Sequence, residues 1–280
     1  MKDHSYSFEF FPPKTEKGVE NFKKVRSVLA ELNPAFFSIT YGAGGSTQDA
    51  TMNSVLETQK ETGIPTASHL SCISSGKEQI SEILSTYKDN GINRLVALRG
   101  DLPSGMRDIG DFHYANELIE FIRQETGDYF QIEVAAYPEM HPQARNFQTD
   151  IDNFARKVNA GADRAITQFF YNADAYFYFI DSIAKVGIDI PVIPGINPIT
   201  NYVQLARFSD GTGAEIPRWL RKRLEGYGDD LDSIQKLGQE FVTKMCEELL
   251  AGGAPGLHFY SMNRVEPSKS IWQNLGLPRD

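Results

Sequence analysis

The sequence predicts one α/β domain: a (β/α)8 TIM barrel with extra helices before its last strand. Three observations lead there. Eight short apolar runs alternate with longer amphipathic stretches along the 280 residues, the cadence of a barrel that typically takes about 250 residues. The runs are apolar enough to be buried on both faces, as parallel strands are. No G-x-G-x-x-G follows the first run, so a doubly wound sheet would lack its phosphate-binding turn.

The strands are expected at Tyr6–Phe11, Ala35–Thr40, Thr66–Leu70, Arg94–Leu98, Gln131–Ala136, Arg164–Gln168, Val192–Pro194 and Gly256–Tyr260. Val19–Leu32 places Phe22, Val25, Val28, Leu29 and Leu32 on one helical stripe, and Gln79–Tyr87, Ala115–Gln124 and Ile151–Ala160 are amphipathic in the same way. Gly91, Gly161 and Gly187 stand where helices should stop. Ile216–Leu250 is too long for one crossover helix and predicts two, parted by Gly226–Asp230, with a last helix near Ser268–Leu275. No Pro/Ser-rich stretch, charge block or repeat divides the chain.

Composition narrows the functions. Hydrophobic residues make up 41% and charged residues 23%, as in an ordinary globular protein. No apolar run nears the roughly 20 residues of a spanning helix, and MKDHSYSFEFFPPK has no apolar core of a signal peptide. A net charge of −9 argues against general affinity for nucleic acid or anionic membrane, so an anionic ligand would need a local basic cluster. Two cysteines, Cys72 and Cys246, make no disulfide framework, and a cytoplasmic location is expected.

A barrel of this kind keeps its active site at the C-terminal ends of the strands. There the sequence gathers Glu9; Thr40 and the loop Gly42–Gly45; His69; Arg99-Gly100-Asp101; Tyr137-Pro138-Glu139 with His141; Gln168; Gly195-Ile196-Asn197; and Tyr260 with Asn263-Arg264. Glu9 lies between Phe8 and Phe10-Phe11. Rings around a carboxyl would raise its pKa and suit a general acid. An ordinary carboxylate paired with Arg or Lys is the alternative. Asp101 is either the partner of Arg99, or a helix cap, or a carboxylate facing a cofactor ring. The glycine loop is either a phosphate cradle or a turn. Asp150, Asn153 and Lys157 share one helix face that would ordinarily be solvated. His69 and Cys72 are three apart, but no second ligand cluster accompanies them, so no metal is expected.

These residues carry a family resemblance. The chain resembles the bacterial methylenetetrahydrofolate reductases through S-F-E-F-F-P-P-K (Ser7–Lys14), T-Y-G-A-G-G-S-T (Thr40–Thr47), H-L-S-C (His69–Cys72), A-L-R-G-D-L-P (Ala97–Pro103), A-A-Y-P-E (Ala135–Glu139), A-I-T-Q-F-F (Ala165–Phe170), I-P-G-I-N-P-I (Ile193–Ile199) and H-F-Y-S-M-N-R (His258–Arg264). They run in family order over essentially the whole chain.

The resemblance implies an FAD-binding barrel over residues 1–280 that reduces 5,10-methylenetetrahydrofolate to 5-methyltetrahydrofolate with NADH or NADPH, and a homo-oligomer, dimer or tetramer. It implies Glu9 as general acid and Asp101 beside flavin and pterin. Substrate contacts carry over to Gln168, Gln204, Phe208 and Arg264. Cofactor contacts carry over to Thr40, His69, Arg99, Gly100, Asp101, Tyr114, Ala135, Tyr137, His141, Asp150, Asn153, Arg156 and Lys157. Asn197, Gln48 and Ala50 depart from the family pattern. No S-adenosylmethionine feedback is expected. The alternatives are a non-catalytic flavin-binding subunit of a methyl-transfer complex and another flavin barrel dehydrogenase.

Overall fold

The computed structural model describes residues 4–41, 45–73, 75–101 and 110–278. Gly42, Ala43 and Gly44 of the glycine loop, and Leu102 and Pro103, lie outside the described residues.

All strand pairings are parallel. β1 (Ser5–Phe10), β2 (Phe36–Ile39), β3 (Thr66–Ser71), β4 (Arg94–Leu98), β5 (Gln131–Ala136) and β6 (Arg164–Thr167) follow each other around the sheet. The expected seventh strand divides into β7 (Val192–Ile193) and β8 (Gly195–Ile196). Pro194 between them has no N–H for a ladder bond, while its carbonyl accepts from His258 N at 2.9 Å. β7 pairs with β6, β8 pairs with β9 (Gly256–Tyr260), and β9 pairs with β1. The broken strand thereby brings the barrel around to close.

The helices are α1 (Glu16–Ala30), α2 (Gly45–Thr62), α3 (Lys77–Asp89), α4 (Ala115–Thr126), α5 (Phe147–Asn159), α6 (Ala173–Lys185), α7 (Tyr202–Thr212), α8 (Arg218–Tyr227), α9 (Leu231–Ala251) and α10 (Ser268–Asn274). The two helices expected across 216–250 are α8 and α9, parted at Gly228. Periodicity did not predict α7, whose start is fixed by Asn201 accepting from Gln204 N at 2.9 Å. Three helices therefore precede the last strand. Helices also start earlier than apolar periodicity suggests, because caps begin them: Thr15 caps α1 and Asn146 caps α5. Among the described residues no helix is long and apolar enough to cross a membrane.

The two-residue period of the strands sorts side chains between two cores. Phe8, Phe10, Phe37, Ile39 and Leu70 enter the layer between strands and helices. Phe36, Ala67, Val96 and Ile166 pack together as a second, smaller cluster on the opposite strand faces, inside the barrel. Beneath them Arg94 lies 4.2 Å from the Phe36 ring centre, donates from Nε to Gln131 Oε1 at 2.9 Å, and approaches Glu133 Oε1 at 3.4 Å. Glu133 is fully buried.

Candidate active site

Strand alternation places Glu9 opposite to Phe8 and Phe10, which leave for the helix layer. Its neighbours are imidazoles instead. His69 Nε2 lies 3.2 Å from Glu9 Oε2, without hydrogen-bond alignment, and His258 Nε2 lies 3.5 Å from the same oxygen. Below them Ser7 Oγ meets His258 Nδ1 at 2.7 Å, and Ser38 Oγ stands 3.4 Å from His258 Nε2. This corrects the expectation of a raised Glu9 pKa. Burial does push the carboxyl up, but the positive charge His69 can carry and polar contact with His258 and His69 outweigh it and hold the group at about 2. At neutral pH Glu9 is therefore a carboxylate. The aromatic neighbours in sequence are not its neighbours in space.

At the next mouth position Arg99 turns away from Asp101. Its Nη2 donates to Gln143 Oε1 at 2.7 Å and its Nε to Gly100 O at 3.2 Å. Asp101 is exposed; burial raises the Tyr137 hydroxyl, with Asp150 and Asp101 adding to the rise, and burial lowers the His141 imidazole, with Asp150 and Asp101 opposing it. Gly100 has φ +83°, and a Cβ there would fall 1.9 Å from Ser71 Oγ, so only glycine fits.

The loop after β5 and helix α5 meet through two sets of contacts. The Tyr137 and His141 rings meet edge to face at 4.5 Å. His141 N donates to Asp150 Oδ2 at 2.8 Å, and Lys157 Nζ donates to Ala135 O at 2.5 Å. Burial pushes the Lys157 ammonium down to about 8, against the pull of Asp150. No carboxylate lies within 4 Å of it among the described residues. Asn153 and Arg156 are exposed on the same helix, where Arg156 Nη1 donates to Asn153 Oδ1 at 2.9 Å. The helix face expected to be solvated is thus divided, with Asp150 and Lys157 drawn toward the sheet end.

Other predicted residues are placed less closely. Thr40 extends the β1–β2 pairing, its N–H donating to Phe10 O at 2.9 Å. Tyr114 is 59% exposed at the start of α4. Gln168 lines a small cavity with Tyr137, Glu139 and Thr212. Gln204 and Phe208 stand one turn apart on an exposed stretch of α7. Arg264 lines a cavity of ≈ 700 Å³ with Phe11, Lys14, Asn21 and Lys24, between the β1–α1 and β9–α10 loops. No hydrogen bond or ion pair joins it to Gln204 or Phe208 among the described residues. Two departures from the family pattern have internal partners: Asn197 Nδ2 donates to Tyr171 OH at 3.1 Å, and Gln48 Oε1 accepts from Gln79 Nε2 at 2.7 Å.

Sequence reasoning missed Ser7, Ser38 and His258 as members of the site. The signal was the polar residue at every second position, Ser5, Ser7 and Glu9 on one strand and His258 and Tyr260 on another.

A parallel barrel with a half-buried carboxylate between two imidazoles and a partly desolvated ammonium at its mouth defines an enzyme of the (β/α)8 class. The methylenetetrahydrofolate reductase family model matches residues 1–276. The chain is 41% identical to 5,10-methylenetetrahydrofolate reductase of Pectobacterium carotovorum over 98% of this chain and 91% of that protein. It is 40% identical to the Escherichia coli K12 protein of the same name, over 97% and 90%. A solved Clostridium thermocellum protein described as binding two copies of 5-methyl-5,6,7,8-tetrahydrofolic acid shares the fold, with a TM-score of 0.66 at 20% identity, covering 96% of this chain and 93% of that one. The chain belongs to the methylenetetrahydrofolate reductase family.

Proposed function

We propose that this chain reduces 5,10-methylenetetrahydrofolate to 5-methyltetrahydrofolate, with FAD as resident cofactor and NADH or NADPH as donor. The observation that carries the reading is Glu9: a carboxyl held by two imidazoles at the barrel mouth, in a chain about 40% identical over nearly full length to proteins of that name.

The residues present suit the cofactor. Lys157 is a half-buried cation with no carboxylate within 4 Å among the described residues, which leaves it free to face an anionic group. His69 Nε2 is a buried nitrogen without a hydrogen-bond partner. Tyr137, His141 and Asp150, linked to one another, and Lys157, seated on Ala135, would hold FAD together with Thr40, His69, Arg99, Gly100, Asp101, Tyr114, Asn153 and Arg156. Hydride-transfer chemistry between the nicotinamide and the folate, in a ping-pong sequence, would be supplied by FAD held among these residues.

The chain's own residues do the rest. Glu9 takes a solvent proton and gives it to N10 of the folate as the five-membered ring opens. It returns to the carboxylate its surroundings favour. The opened substrate is an iminium cation, and the exposed charge of Asp101 stabilises it. Gln168 would orient the pterin, Phe208 would stack on the planar part of folate or nicotinamide, and Gln204 and Arg264 would contact the remainder of the substrate. The mouth is stocked with the acid and charge of a working enzyme, which a non-catalytic flavin subunit would not need.

Glu9→Gln keeps shape without a transferable proton. Stopped flow should show NADH still bleaching the flavin while oxidation by folate falls about 100- to 10,000-fold. Loss of both half-reactions, with FAD still bound, contradicts this division of labour.

A further inference from the structure

The two imidazoles at Glu9 approach one oxygen. His69 Nε2 and His258 Nε2 both face Oε2, at 3.2 and 3.5 Å. Oε1 makes no hydrogen bond or ion pair among the described residues, and 17% of the Glu9 side chain remains accessible. The carboxyl is therefore divided into a tethered oxygen and a working one.

His258 is the fixed part of the tether. It is fully buried. Its ring lies along Phe36, centroids 5.8 Å apart at 19°, and the edge of Tyr260 meets it at 5.6 Å. The polar groups facing it are Glu9 and Ser7 from β1 and Ser38 from β2, with His69 of β3 near enough for charge repulsion. Burial favours the neutral ring, opposed by Glu9. A neutral imidazole has one N–H, and a carboxylate can only accept. The N–H therefore belongs on Nε2, facing Glu9, and Nδ1 accepts from the Ser7 hydroxyl.

We propose that His258 is a positioning residue: seated on Ser7, it ties down Oε2 of Glu9, so that Oε1 alone carries the proton to and from the substrate. The inference rests on the reading of Glu9 as the acid. The proton balance is simple. A solvent proton binds Oε1, passes to the substrate amine as its C–N bond breaks, and leaves the carboxylate that His258 again holds.

Two substitutions separate orientation from packing. His258→Asn can still reach Ser7 but is too short for Glu9, whereas His258→Gln reaches Glu9 from the Nε2 position. With flavin reduction by NADH as internal control, His258→Asn should slow the folate half-reaction roughly 10- to 100-fold, the scale of a lost orientation. It should also move the high-pH limb of that half-reaction upward, because a contact favouring the carboxylate is gone. His258→Gln should stay within about threefold of wild type, a small fraction of that loss. Equal loss in both variants, or no shift of the limb in His258→Asn, overturns the proposal. ¹⁵N NMR of the imidazole needs no variant: wild type should show the neutral Nε2–H form of His258, and an Nδ1–H form or an imidazolium at neutral pH overturns it. Glu9→Gln measured alongside separates the two levels. An intact folate step there refutes Glu9 as the acid, whereas its collapse with an unaltered His258→Asn profile refutes only the role of His258.

Discussion

Glu133 at the barrel floor should make the protein less stable as pH rises, and Glu133→Gln should remove that loss. The carboxyl is 0% exposed, and burial pushes it up to about 7 from an ordinary 4.5, although Arg94 and Arg164 pull the other way. Neither oxygen has a hydrogen-bond partner, and Arg94 Nη2 stays at 3.4 Å. The sign follows from linkage. The native state keeps its proton where the unfolded chain has lost it, so the contribution is complete below 4.5 and is lost as pH climbs to about 7. Over that interval, at about 1.4 kcal/mol per pH unit, wild type loses about 3 kcal/mol. Glutamine keeps the shape and an acceptor for Arg94 but cannot ionise. Urea unfolding of both proteins should show the variant more stable by about 3 kcal/mol at pH 7.5 and by under about 1 kcal/mol at pH 5. A difference that does not change with pH refutes the reasoning. So does a variant less stable at pH 7.5, which would mean that Arg94 depends on an ionised Glu133.

Lys157 offers a similar trade at the mouth. Its native pKa of about 8 lies below the ordinary 10.5, so burying the ammonium costs stability at every pH below about 8 and the cost fades as pH rises toward 10.5. Lys157→Met should stabilise the cofactor-free protein by up to about 3 kcal/mol at pH 7 and at the same time weaken FAD binding; a variant that unfolds earlier, or binds FAD equally well, counts against a cofactor cation. Asp101→Asn removes a negative charge from the cofactor's proposed surroundings and should raise the flavin potential, because anionic reduced flavin is then less disfavoured. An unchanged or lower potential in a spectroelectrochemical titration contradicts that placement.

Much of the barrel was legible because its strands and helices obey simple periods. The strand ends at Glu9, His69, Gln168 and Tyr260 follow from alternation and the general position of active sites in such barrels. What failed was local inference from neighbours in sequence. Phe8 and Phe10 flank Glu9 along the chain but point away from it, so the carboxyl meets His69 and His258, whose nearness depends on closing β9 against β1. The split of the seventh strand was half visible, since Pro194 cannot donate to a ladder, but that Gly195–Ile196 resumes pairing on β9 is a matter of closure. Helix α7 was not found from periodicity, because its stretch carries the exposed Val203 and Phe208 and no clean apolar stripe. The glycine loop, offered as cradle or turn, lies mostly outside the described residues.

The function proposed for this chain is that of a flavin-dependent reductase whose folate step belongs to Glu9 and its flanking histidines. The absorbance spectrum of the pure protein, followed through anaerobic addition of NADH and then methylenetetrahydrofolate, tests it most directly. The expected result is a yellow protein that NADH bleaches and the folate restores, with 5-methyltetrahydrofolate as product. A protein that cannot be reconstituted with FAD, or one that bleaches and then ignores the folate, contradicts it.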